Sequence, residues 1–143
     1  MISFSVMSVL VDDQDRAKAF YTEKLAFEPK LDMPVDGEAR WLTVVSKADP
    51  DGMQLFLEPD GNPAIQINGE PAAQVFKRVL YEAGIPWTAF ATDDLNAEHQ
   101  RLTNLGVRFV MEPTEMPGVT VATFDDTCGN LIMLQQITGD PGA

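Results

Sequence analysis

A single cysteine, few basic residues and no long apolar run set the first limits on this sequence. Cys128 stands alone, which excludes an intrachain disulfide and any zinc site built from cysteines. Lysine and arginine number 10 against 22 acids, giving a net charge of −12 with no basic cluster. Phosphate backbones and anionic lipid surfaces attract basic grooves, so nucleic acid and membrane are excluded as partners. The same field favours a cationic ligand or a basic partner, although acidity also serves simply to keep a protein in solution. The longest apolar stretches, such as Val6 to Val11, are far too short to span a bilayer, and no basic-then-apolar leader opens the chain. A cytoplasmic location is the expectation. What remains is a chain of 143 residues, 45% hydrophobic and 22% charged, long enough to bury one real core.

Periodicity then places the elements. Ser3 to Val11 alternates and is β-branched, a strand, and Asp12-Asp13 caps a helix over Asp13 to Leu25. Strands follow at Phe27 to Met33, Ala39 to Ser46 and Met53 to Leu57, separated by Pro34-Val35-Asp36-Gly37 and Pro50-Asp51-Gly52. Pro63 to Glu70 reads as a loop. Pro71 suits the first turn of an amphipathic helix that Gly84 ends. Trp87 to Thr92 is a strand and Asp93-Asp94 opens a second capped helix, which runs to Leu105. Strands at Val107 to Glu112, Val119 to Phe124 and Leu131 to Gln136 complete the order, and the Gly/Pro-rich tail after Thr138 is expected to fray.

That order contains a repeat. Val11-Asp12-Asp13 to Leu25-Ala26-Phe27 parallels Thr92-Asp93-Asp94 to Leu105-Gly106-Val107. Each copy reads strand, acid-capped helix, three strands. The fold class is therefore α+β: two βαβββ modules forming a curled mixed sheet around a cleft, since one module alone leaves a sheet face uncovered. The single domain comprises a first module over about 1–62, a connecting helix over about 71–84 and a second module over about 86–138.

These residues resemble the vicinal oxygen chelate superfamily of glyoxalase I, bleomycin-resistance proteins and extradiol dioxygenases. The likeness is carried by Val11 to Tyr21, Lys24-Leu25-Ala26-Phe27, Phe90-Ala91-Thr92-Asp93-Asp94, Leu105-Gly106-Val107 and Phe124 to Asn130. Ala26 departs from the family's usual glycine and calls for a slightly different turn. The resemblance implies a homodimer and, in metal-dependent members, four inward ligands, at positions held here by Val6, Phe56, Trp87 and Met133. None offers the nitrogen or oxygen that a divalent cation wants in such a site. His99 lies mid-helix, on a surface or helix-packing face. No metal and no cofactor are expected.

Strand alternation turns further side chains to the same cleft. The candidate ligand-binding residues are Val6, Ser8, Gln54, Phe56, Glu58, Trp87, Met133 and Gln135, with Trp41 on the third strand as a further wall residue whose facing alternation leaves open. They make an apolar, aromatic wall with a few polar groups, either an open pocket or a packed core. Glu58 and Glu112 are the acids that strand ends could aim inward as general bases. Cys128 sits among acids in a hairpin turn where Gly129 supplies a positive φ, a poor setting for a nucleophile. Two readings follow. One is a metal-independent protein that binds or sequesters a small aromatic or cationic molecule. The other is a metal-dependent lyase, isomerase or dioxygenase using shifted ligands such as Glu58 and Gln135.

Overall fold

Asp13 follows the first strand and caps the first helix, and Asp94 does the same one repeat later. Each sits in extended backbone, and its carboxylate accepts the amide of the residue three on, Arg16 or Ala97. Such a cap satisfies one orphan donor and stabilises a helix by about 1 kcal/mol. The computed structural model describes residues 1–140, which divide between two units, one over Met1–Arg78 and the other from Val79 onward.

The first unit contains β1 (Val6–Val11), α1 (Gln14–Ala19), β2 (Glu28–Asp36), β3 (Ala39–Val45) and β4 (Gln54–Pro59). They form a sheet in the order β1-β4-β3-β2, with β1 parallel to β4 and the other pairs antiparallel. The first helix does not run on evenly to Leu25: Phe20–Lys24 is a π-helical turn, closed by Leu25 N–H donating to Phe20. The wider turn leaves adjacent Phe20 and Tyr21 both buried, with Tyr21 stacked on Phe27. α1 packs on β3 and β4, and Val9, Leu42, Val44 and Leu57 on that face are fully excluded from solvent. The Gln14 side chain ties the helix start to the sheet: it donates to the carbonyls of Arg40 and Leu57 and accepts from Arg40 N–H.

Two sequence expectations change here. β2 continues through Pro34 to Asp36, so the turn is confined to Gly37 and Glu38. Its Pro29 and Pro34 sit beside breaks in register along an edge strand, where a missing N–H costs no ladder bond. The segment read as a loop holds a small hairpin, β5 (Gln66–Ile67) with β6 (Glu70–Pro71), reversed through Asn68 and Gly69, both at positive φ. Pro71 thus belongs to that hairpin, and α2 (Ala72–Glu82) begins after it.

The second unit repeats the plan with β7 (Thr88–Ala91), α3 (Leu95–Asn104), β8 (Phe109–Met116), β9 (Val119–Asp125) and β10 (Leu131–Ile137). Its order β7-β10-β9-β8 is the permutation of the first sheet, again with one parallel pair. The class is α+β with two open four-stranded mixed sheets. α3 packs on β8, β9 and β10, and Gln136 Oε1 accepts Leu95 N–H at its start. In the hairpin between β9 and β10, Gly129 takes φ 93°, and the buried Asp126 carboxylate accepts the amides of Cys128 and Asn130. The start of the tail does not fray: Thr138 and Gly139 N–H both donate to the Gly118 carbonyl. Residues 141–143 lie outside the described residues.

Candidate functional site

Because β1 and β4 run parallel, their carboxyl ends emerge at one edge of the first sheet. Antiparallel β2 ends and β3 begins at that same edge. Three chain segments therefore converge there: the Asp12-Asp13 helix entry, the β2–β3 turn and the Pro59 to Pro63 stretch. With the first turn of α2 they enclose a groove of about 1420 Å³. Its floor is the sheet face turned away from α1, where Leu10, Trp41, Phe56 and Glu58 meet. The Trp41 and Phe56 rings lie 4.2 Å apart between centroids at 33°. Phe56 is almost wholly buried, whereas Trp41 and Glu58 are half-buried.

Carboxylates dominate the rim, but most are matched. Asp12 and Asp13 pair with Arg16, and Arg40 pairs with Asp15 at 2.8 Å and Asp32 at 2.9 Å. The Arg16 backbone N–H and guanidinium hold the Asp13 carboxyl below its usual range. The hydrogen bonds from Lys18 and Arg40 do the same for Asp32, overcoming the opposing effect of its partial burial. At the groove wall, Asp60 and Lys77 form a buried ion pair at 2.5 Å, and Gln74 Nε2 donates to the other Asp60 oxygen. Glu58 has no such partner among the described residues.

Of the residues singled out in the sequence, Trp41, Phe56 and Glu58 line the groove. Val6, Ser8 and Gln54 share that sheet face without lining it; Val6 pairs with Gln54 and Ser8 with Phe56. Gln54 is engaged inside the sheet, accepting from the Thr43 hydroxyl at 2.8 Å. Trp87, Met133 and Gln135 lie in the second unit, on the sheet face opposite α3, all half-buried. Glu112 does not turn inward: it pairs with His99 Nε2 at 2.7 Å on the helix side, where the imidazole also meets Phe109 edge-on. That contact is the helix-packing role expected of His99. The walls of the groove, Asp60 to Pro63 and Ala72 to Gln74, were missed. Their signal was the turn Pro59-Asp60-Gly61-Asn62 directly after a strand parallel to the first.

A metal centre does not fit these side chains. Val6, Phe56 and Trp87 carry no lone pair suited to a divalent cation, and the Met133 thioether suits only soft ions. Among the described residues, no three His, Cys, Asp or Glu side chains are grouped to hold one.

The family model of the Glyoxalase/Bleomycin resistance protein/Dioxygenase superfamily matches residues 3–134. The chain belongs to that superfamily. It is 47% identical over 131 residues to the uncharacterized protein YurT of Bacillus subtilis (strain 168), covering 92% of this chain and 96% of that one. Among solved structures, UcmS2 superposes with a TM-score of 0.80 at 37% identity, covering 94% of this chain and 98% of that one. TnmS3, an antibiotic binding protein from Streptomyces sp. CB03234, gives 0.71 at 29% identity, covering 96% and 98%. Within the superfamily, then, the chain is similar to a protein that binds an antibiotic. No helix among the described residues is long and apolar enough to cross a membrane.

Proposed function

We propose that this superfamily member binds and sequesters a small, flat aromatic molecule, without a metal ion and without altering it chemically. The observation that carries this reading is the Trp41–Phe56 pair on the floor of an open groove. The buried Phe56 ring packs against Trp41 and holds the indole in place, so stacking on Trp41 needs little ordering of the protein. The absence of nitrogen or oxygen donors suited to a divalent cation at Val6, Phe56, Trp87 and Met133 argues against the superfamily's metal chemistry. The antibiotic-binding neighbour TnmS3 supports a holding role.

Binding is read from Trp41 itself. The chain has two tryptophans, so Trp87→Phe leaves Trp41 as the sole indole reporter. Titration with acridine, a neutral planar probe, then gives saturable quenching, and the probe is recovered unchanged by mass spectrometry. Quenching that never saturates would overturn the reading. About one tightly held divalent ion per chain after purification, restored on reconstitution together with turnover, would favour the metal-dependent lyase, isomerase or dioxygenase instead. The resemblance also leads us to propose a homodimer, which light scattering tests by giving twice the chain mass.

A further inference from the structure

We infer that Glu58 makes this groove selective for a flat aromatic cation over a neutral molecule of the same shape. The inference rests on the groove reading above and adds the chemical class of its guest. Charge matching inside the groove carries it. Arg40, the basic residue on the lining, is held by Asp15 and Asp32, and Lys77 is held by Asp60. The lining carboxylates of Asp12, Asp13, Asp15 and Asp60 are likewise spoken for. Asp36 and Glu38 are exposed at the rim. Glu58 differs from all of these, being half-buried, on the floor and without a partner among the described residues.

Its surroundings set the shape of what completes it. Leu10 pairs directly with Glu58 across β1–β4. Continuing the Thr43–Phe56 register brings Trp41 opposite Glu58 on the other side. Phe56 precedes it by two residues and so stands about 7 Å along the same face. The Glu58 carboxylate thus sits beside the Leu10 side chain and two rings, and no side chain of the groove pairs with it. An aromatic cation meets both requirements at once: its ring stacks on Trp41, which the buried Phe56 ring backs, and its charge faces Glu58 while drawing on the Trp41 π-face. A neutral ring gains only the stacking and further desolvates the carboxylate.

The test compares 10-methylacridinium, a fixed cation, with acridine, its neutral analogue, in mildly alkaline buffer. Calorimetry gives both affinities for the wild type, Glu58→Gln and Glu58→Asp, with thermal melting to show that each variant is folded. The cation is expected to bind about tenfold more tightly than acridine to the wild type. Glu58→Gln should bring the two affinities together, and Glu58→Asp should keep them apart. Equal wild-type affinities would overturn the inference and leave the groove reading standing. A preference that survives Glu58→Gln would also overturn it, tracing selectivity to the overall charge of −12. If neither probe binds, the groove reading falls and the inference falls with it.

Discussion

The indole of Trp41 and the ring of Phe56 come from different strands and lie 4.2 Å apart between centroids. Their contact is diagonal, since Phe56 pairs directly with Thr43 across β3 and β4. Cross-strand aromatic pairs fix each other's rotamers, so the stacking surface exists before a ligand arrives. Trp41→Ala removes one of the two rings and the rigidity of the other. Acridine affinity measured by calorimetry should fall by at least about tenfold, roughly 1.4 kcal/mol. Unchanged affinity would place the ligand elsewhere.

The Asp60–Lys77 pair joins the end of β4 to α2 with both side chains nearly excluded from water, at 6% and 8% exposure. Asp60 N–H also donates to the Val11 carbonyl, so this residue fixes the groove wall to two strands. Removing one partner of such a pair leaves a buried charge unmatched, at a cost of about 3–5 kcal/mol, whereas removing both is far milder. Lys77→Met should therefore lower the urea midpoint strongly. Lys77→Met combined with Asp60→Asn, which keeps an acceptor for Gln74, should recover much of that loss. Additive losses in the double variant would show that the two charges act independently.

The parts of this fold legible in the sequence are those governed by local rules. Asp13 and Asp94 cap helices because a short carboxylate before an apolar stripe satisfies orphan amides wherever it occurs. Strand alternation correctly put Phe56 and Glu58 on one face, since parity survives errors of length. What was not legible depended on pairing between distant segments. Nothing near Lys77 announces Asp60, seventeen residues earlier, as its partner. Glu112 could not be assigned a face without knowing that β8 lies against α3, where His99 takes it up. The small hairpin at Gln66 to Pro71 is held by two residues per strand, too few for alternation to register.

Ala26 tests the one departure from the superfamily's helix exit. It occupies φ 65°, a left-handed conformation that glycine adopts freely and that costs an L-residue about 1–2 kcal/mol. Glycine gives back some of that gain through the greater freedom of the unfolded chain, about 0.4–1 kcal/mol. The balance favours Ala26→Gly, which should be more stable than the wild type by about 0.5–1 kcal/mol. Equilibrium urea unfolding measures this directly. A loss of stability would mean that the Ala26 methyl makes contacts worth more than the strain.

Tyr81 gives the second unit a pH-dependent bond. Its hydroxyl donates to Asp125 Oδ2 at 2.6 Å, and Arg108 Nη2 donates to the same carboxylate oxygen at 2.7 Å and to the Tyr81 oxygen at 3.0 Å. The hydrogen bond to Asp125, followed by partial burial, raises the Tyr81 phenol above its ordinary value. The folded chain thus holds this proton more tightly than the unfolded chain does. The resulting stability is fully present below the unfolded value of about 10 and is lost as pH rises through the higher folded value. Tyr81→Phe should be less stable than the wild type by about 1 kcal/mol at neutral pH. That gap should close in strongly alkaline buffer, where the phenolate would face Asp125 as a like charge. Urea midpoints for both proteins across that range decide it: a gap that stays constant would assign the effect to packing of the ring and not to its proton.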